Sequence, residues 1–312
     1  SYVRDAYLQG LTLQDQGKPN PFNFGVIGSS DTHVGGGSYT EETHFSKIGL
    51  LDGEPYLRGS VPFEGIYSLI ARLWQPDSIL EIDENNYLSF SPRLIRFGSS
   101  GLAGVWAEEN TRESIYNAFR RKETFGTSGP RIKVRFFAGF NFENSNLNDQ
   151  DLIQEAYSKN VPMGGDIIQE KGKNPRFLVW AISDPLGAPL QRVQIIKGWL
   201  ADGEQREKVF DVACSDGQSV NLLNHRCPDN GAKVNLDDCS ISREKGNAEI
   251  KTFWQDPEFS NDQEAFYYAR VLENPTCRWS TWDAVRAEEK PRSDIPVTIQ
   301  ERAWSSPIWI KG

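Results

Sequence analysis

The stretch GPRIKVRFFAGF, Gly129–Phe140, decides how the second half of this chain folds. After a Gly-Pro break, Ile132, Val134 and Phe136 alternate with Arg131, Lys133 and Arg135, the period-two pattern of a strand with one buried face. The same texture returns in RFLVWAISD (176–184), QRVQIIKGWL (191–200), EKVFDVAC (207–214), AEIKTFWQD (248–256) and FYYARVLEN (266–274). These short runs are rich in β-branched and aromatic residues and are separated by turn residues, which predicts an antiparallel β-sandwich-like domain over 130–312. Trp254, Trp279 and Trp282 are expected in its core, although exposed aromatic rings there would stack on a sugar.

Residues 1–129 read differently. Val3, Ala6, Tyr7, Leu8 and Leu11 share one helical face, and Gly17 is a stop. Phe24-Gly25-Val26-Ile27 is a short buried strand ending at Gly28-Ser29-Ser30. Residues 37–101 form a loop-rich insertion whose apolar pieces, GIYSLIARLW and YLSFSPRLIRF, predict one or two short helices. Gly101–Ala107 is a strand candidate, followed by a helix with Asn110 as N-cap, Glu113 as its capping-box partner and Arg120-Arg121-Lys122 as a solvated last turn. Because the chain opens inside a helix, the sequence is expected to be a fragment or a processed product of something longer.

A chain of 312 residues can bury a large core without needing crosslinks for viability. Its net charge of -9 argues against nonspecific binding to nucleic acid or anionic membranes. No segment approaches the roughly 18 apolar residues of a membrane helix. Cys214, Cys227, Cys239 and Cys277 all lie in the last third, and none forms a Cys-x-x-Cys pair. An even count in loops rich in Asn, Asp, Pro and Gly predicts two disulfides, with three connectivities open, and a periplasmic or secreted protein.

Asp31 and His33 flank Thr32 between glycine-rich turns, in a chain with only three histidines. Carboxylate plus imidazole suits zinc, manganese or iron, and in an extended segment alternate side chains point the same way. His44 is expected as an exposed loop residue able to reach the same site, and His225 as a surface residue of a cysteine loop. Arg131, after Thr127-Ser128-Gly129, would clamp an anion through its guanidinium; Ser30 is a further substrate-binding candidate. Glu41 and Glu42 are expected to face solvent.

NPFNFGVIGSSDTH (20–33) resembles a late metal-binding motif of the polymerase and histidinol phosphatase (PHP) superfamily, and TRESIYNAFRRKETFGTSGPRI (111–132) resembles the helix-and-strand segment that closes those barrels. HRCPDNGAKVNLDDCSIS and FYYARVLENPTCRWSTWD resemble the C-terminal region of one PHP-like family, domain of unknown function 3604. The resemblance implies an α/β + β fold: residues 1–129 as the C-terminal part of a distorted PHP-like α/β barrel, followed by the sandwich. It implies a hydrolase with two or three divalent ions, zinc or manganese, acting on a small anionic ester. Only Asp31 and His33 fall on ligand positions, and the His-x-His that starts such barrels is absent. The remaining ligands are therefore expected on a missing N-terminal half, and this chain alone is expected to be inactive. The alternative is a noncatalytic module for glycan or protein recognition with a vestigial metal loop.

Overall fold

A computed structural model describes residues 2–62, 65–73, 81–82, 88–89, 96–142, 145–260 and 263–312. In chain order the elements are α1 (Val3–Asp15), α2 (Gly65–Leu73), β1 (Glu81–Ile82), β2 (Leu88–Ser89), β3 (Leu102–Val105), α3 (Arg112–Arg120), β4 (Thr124–Thr127), β5 (Lys133–Gly139), α4 (Leu152–Lys159), β6 (Val161–Pro162), β7 (Asp166–Ile168), β8 (Arg176–Ile182), β9 (Leu190–Ala201), β10 (Glu204–Cys214), β11 (Glu249–Gln255), β12 (Ala265–Glu273), β13 (Thr276–Cys277), α5 (Trp279–Arg286), β14 (Thr298–Ile299), β15 (Arg302–Ser305) and β16 (Ile308–Lys311). Most of the predicted apolar piece 87–97 lies outside the described residues.

An eight-stranded sheet runs β10-β9-β12-β15-β4-β3, with β16 also beside β12 and β7 beside β16. A four-stranded sheet runs β11-β8-β5-β6. Their facing side chains form one core, to which β5 gives Val134, Phe136 and Ala138, β8 gives Phe177 and Val179, and β12 gives Tyr267, Ala269 and Val271. The alternation read in Gly129–Phe140 is therefore the inward face of β5.

The interruptions of that alternation have a cause. Phe137 and Leu178 point to the far side of the small sheet, where Leu152 and Ala156 of α4 cover them. On the far side of the large sheet, Tyr7, Leu8 and Leu11 of α1 pack on Ile196, Phe266 and Trp309. A strand covered on both faces reads as a continuous apolar run, which is how FFA and AFYYA arise.

The β-rich expectation is met, but the described residues form no closed barrel. β3 and β4 pair antiparallel and extend the large sheet. Phe24–Ile27, expected as a buried strand, has no ladder partner. The Val26 N–H donates to Ser306 Oγ at 2.9 Å, and the Gly28 N–H to the Leu102 carbonyl at 3.1 Å. Two glycines permit this crossing over β3 and β4. A Cβ on Gly28 would lie 2.4 Å from the Leu102 oxygen, and one on Gly126 would lie 2.5 Å from the Gly28 nitrogen. Phe24 and Ile27 remain exposed.

The helix α3 is capped by Thr111 rather than Asn110, because the Thr111 hydroxyl accepts from the Ser114 N–H. Lys122, just past its end, adopts a left-handed φ of 60° and donates to Asn23 Oδ1 at 2.7 Å, so it anchors the preceding loop rather than facing solvent.

Candidate functional site

Asp31 and His33 lie together on one exposed turn. Asp31 has a left-handed φ of 52°, a conformation Asp tolerates better than most residues. The Thr32 N–H donates to Ser30 Oγ at 3.2 Å, which commits Ser30 to the turn. The His33 N–H donates to the Lys47 carbonyl at 2.8 Å, and its ring Nδ1 lies 2.9 Å from the Asp31 carbonyl oxygen. A carbonyl only accepts, so Nδ1 carries the hydrogen and a neutral ring presents Nε2 as its free electron pair. The Asp31 carboxylate is 80% exposed and sits 3.1 Å from Lys47 Nζ. Its hydrogen bond to that ammonium, then the charge attraction, hold its pKa below the usual carboxylate range. Among the described residues, no group of three or more His, Cys, Asp or Glu gathers in a way that could hold a metal ion.

His44 is not exposed. Its ring packs at a tilt against Trp279, centroids 4.9 Å apart, and burial, followed by the nearby Arg58 charge, pushes its pKa down to about 4. It lines a cleft with Arg58, Asp283 and Arg286, which Asp31 and His33 do not line. Trp279 is thus buried at the start of α5, away from the sandwich core, whereas Trp254 packs against that core. His225 is half-buried, with its ring 5.0 Å from that of Phe210.

Arg131 borders a second cleft of about 330 Å³, shared with Glu41, Asp184, Gly187, Trp282 and the Cys239–Cys277 disulfide. Its backbone N–H donates to Asp184 Oδ2 at 2.7 Å, which fixes the chain where β5 begins. Glu41 is buried, contrary to expectation, while Glu42 is exposed. The Glu41 carboxylate accepts the Ser99 N–H at 2.6 Å and the Trp279 N–H at 2.8 Å, so it ties its loop to α5.

Two residues of this cleft were not singled out from the sequence. Glu273 and Glu301 are 1% and 4% exposed. Burial pushes their carboxyl pKa values up to about 8 and about 7. The signal for Glu273 was strand parity. It follows Ala265, Tyr267, Ala269 and Val271 on the inward face of β12, so an acid there points to the interior.

The four cysteines form two disulfides, Cys214–Cys227 and Cys239–Cys277. Among the described residues no helix is long and apolar enough to cross a membrane. The disulfides are consistent with an oxidising, extracytoplasmic setting.

A family model described as "Protein of unknown function (DUF3604)" matches residues 1–312, the whole chain. The chain belongs to this family. No curated protein and no solved structure matches it. The match to DUF3604 does not connect this chain to the PHP superfamily.

Proposed function

We propose that this DUF3604 chain is the C-terminal portion of an exported, PHP-like, metal-dependent hydrolase of small anionic esters, phosphoesters first, with Asp31 and His33 supplying two ligands of its metal centre. One observation carries the reading. The Nδ1 of His33 is held by the Asp31 carbonyl, so Nε2 is left as the donor beside an exposed, ionised carboxylate. A ligating histidine typically has its other ring nitrogen tied in this way. The donor types fit zinc or manganese. The number does not suffice alone, since catalytic zinc sites use three protein ligands. Residues upstream in the complete polypeptide would supply the others. A bound divalent ion would provide a water acidic enough to attack near neutral pH. Lys47, which now neutralises Asp31, would be displaced by the ion or would face the substrate's negative charge.

The two-ligand count favours a second reading, a noncatalytic recognition module with a vestigial loop. Turnover separates the two. The full-length protein, supplied with zinc or manganese and assayed on p-nitrophenyl phosphate and bis-p-nitrophenyl phosphate, is expected to hydrolyse at least one of them. Asp31→Ala and His33→Ala are each expected to lower that rate about 100-fold or more, the scale of losing a group that positions the ion. Turnover that survives both substitutions, or none with either phosphoester, contradicts the proposal.

A further inference from the structure

The cleft beside Arg131 contains three buried carboxylates, and only one has an oxygen left over. Glu41 spends its oxygens on two backbone N–H groups. Glu301 accepts from the hydroxyls of Ser99 and Ser128. Glu273 accepts the Ala188 N–H on Oε2 at 3.3 Å, but its Oε1 is buried with no hydrogen-bond partner. A buried polar oxygen without a partner is uncommon and costs free energy.

We infer that this cleft binds a small organic ammonium ion, received by Glu273 Oε1, with the guanidinium groups of Arg131 and Arg243 at its mouth placed for an anionic group on the same ligand. Asp184 and Glu301 add negative charge around Glu273, which favours a cationic donor over a neutral one. A metal ion is disfavoured, because the neighbouring carboxylates are committed to hydrogen-bond donors and form no ligand cluster. The volume of about 330 Å³ is at the small end for organic ligands, and Leu186, Ile241 and the Cys239–Cys277 disulfide give it apolar walls.

Because Oε1 is buried behind Gly187, a ligand reaches it only if the 184–188 turn is displaced. Gly187 lies against the carboxylate, and a Cβ there would be 2.9 Å from Oε1. Arg243 holds this turn from outside through the Gly187 carbonyl, at 3.3 Å. Binding also carries a proton signature. Glu273 is faced by Asp184 and the Ala188 N–H from the β8–β9 turn, and by Glu301 from the segment before β15, and its pKa of about 8 leaves it mostly protonated at neutral pH. An ammonium needs the carboxylate, so binding releases a proton and affinity rises with pH up to about 8. This inference is independent of the hydrolase reading and of Asp31 and His33.

The test is titration calorimetry on the purified full chain at pH 8, with O-phosphoethanolamine, ethanolamine and ethyl phosphate as probes. O-phosphoethanolamine is expected to bind with one-to-one saturation, and ethyl phosphate, lacking the ammonium, about 10-fold or more weaker. Glu273→Gln is expected to weaken O-phosphoethanolamine about 10-fold or more and to leave ethyl phosphate unchanged. Gly187→Ala, which crowds Oε1 while leaving the carboxyl group itself in place, is expected to do the same. Arg131→Ala is expected to bring O-phosphoethanolamine down to the level of ethanolamine. The inference is overturned if neither amine saturates the wild type by about 10 mM, or if Glu273→Gln and Gly187→Ala both bind O-phosphoethanolamine as the wild type does.

Discussion

Arg58 grips Asp283 at two points: Nε lies 2.7 Å from Oδ2 and Nη2 lies 2.6 Å from Oδ1, with both residues buried. The pair fastens the long loop that follows the Asp31–His33 turn to α5, and Ser60 Oγ adds a third bond to Asp283 at 2.5 Å. Removing one member leaves a buried charge unpaired. Arg58→Ala is expected to cost about 3–5 kcal/mol in urea unfolding. Arg58→Lys is expected to recover only part of this, because an ammonium cannot reproduce the two-point fork. Full recovery by Lys would contradict the account.

Lys197 and Asp256 give a second case inside the sandwich. Nζ lies 2.6 Å from Oδ2, both side chains are sealed from solvent, and the Tyr267 hydroxyl donates to the same oxygen at 2.8 Å. Lys197→Met is expected to destabilise by about 3–5 kcal/mol, since Asp256 stays behind. Tyr267→Phe, which removes one donor to a charged acceptor, is expected to cost less, about 1.5–3 kcal/mol. Denaturant midpoints of the two variants check this order.

Glu273 makes stability depend on pH. Its ordinary value is 4.5 and its folded value is about 8, so the native state holds a proton that the unfolded chain releases. That contribution is complete below about pH 4.5 and is lost as pH rises toward 8. Glu301 acts in the same direction, up to about 7. Glu273→Gln is therefore expected to flatten the fall in stability between pH 5 and 8 by about 3–4 kcal/mol. A variant whose pH profile overlays the wild type would contradict this.

The disulfides differ in what they restrain. Cys239–Cys277 spans 38 residues and walls the Arg131 cleft, whereas Cys214–Cys227 spans 13 and closes a loop after β10. The double variant Cys239→Ala/Cys277→Ala is expected to lose about 3–4 kcal/mol, slightly more than Cys214→Ala/Cys227→Ala, on the loop-entropy model. Thermal unfolding of both double variants tests the order.

The sandwich was legible because its strands obey period two wherever one face is buried, as Ile132, Val134 and Phe136 do. The first half was harder to read. Phe24-Gly25-Val26-Ile27 has a strand's composition, yet its backbone groups are met by Ser306 and Leu102, which are distant in sequence. The two glycines that allow the crossing meet only in space. His44 and Glu41 looked like loop residues because the helix that buries them, α5, lies more than 200 positions downstream. The pairing of Asp31 with His33 was visible as spacing, but the carbonyl that orients the ring was not.

The metal content of the full-length protein tests the central claim most directly. After purification without chelators, elemental analysis is expected to find stoichiometric zinc or manganese, and Asp31→Ala and His33→Ala are each expected to lose it while keeping the fold by circular dichroism. A folded full-length protein free of divalent metal, or variants that retain the full complement, would contradict the account.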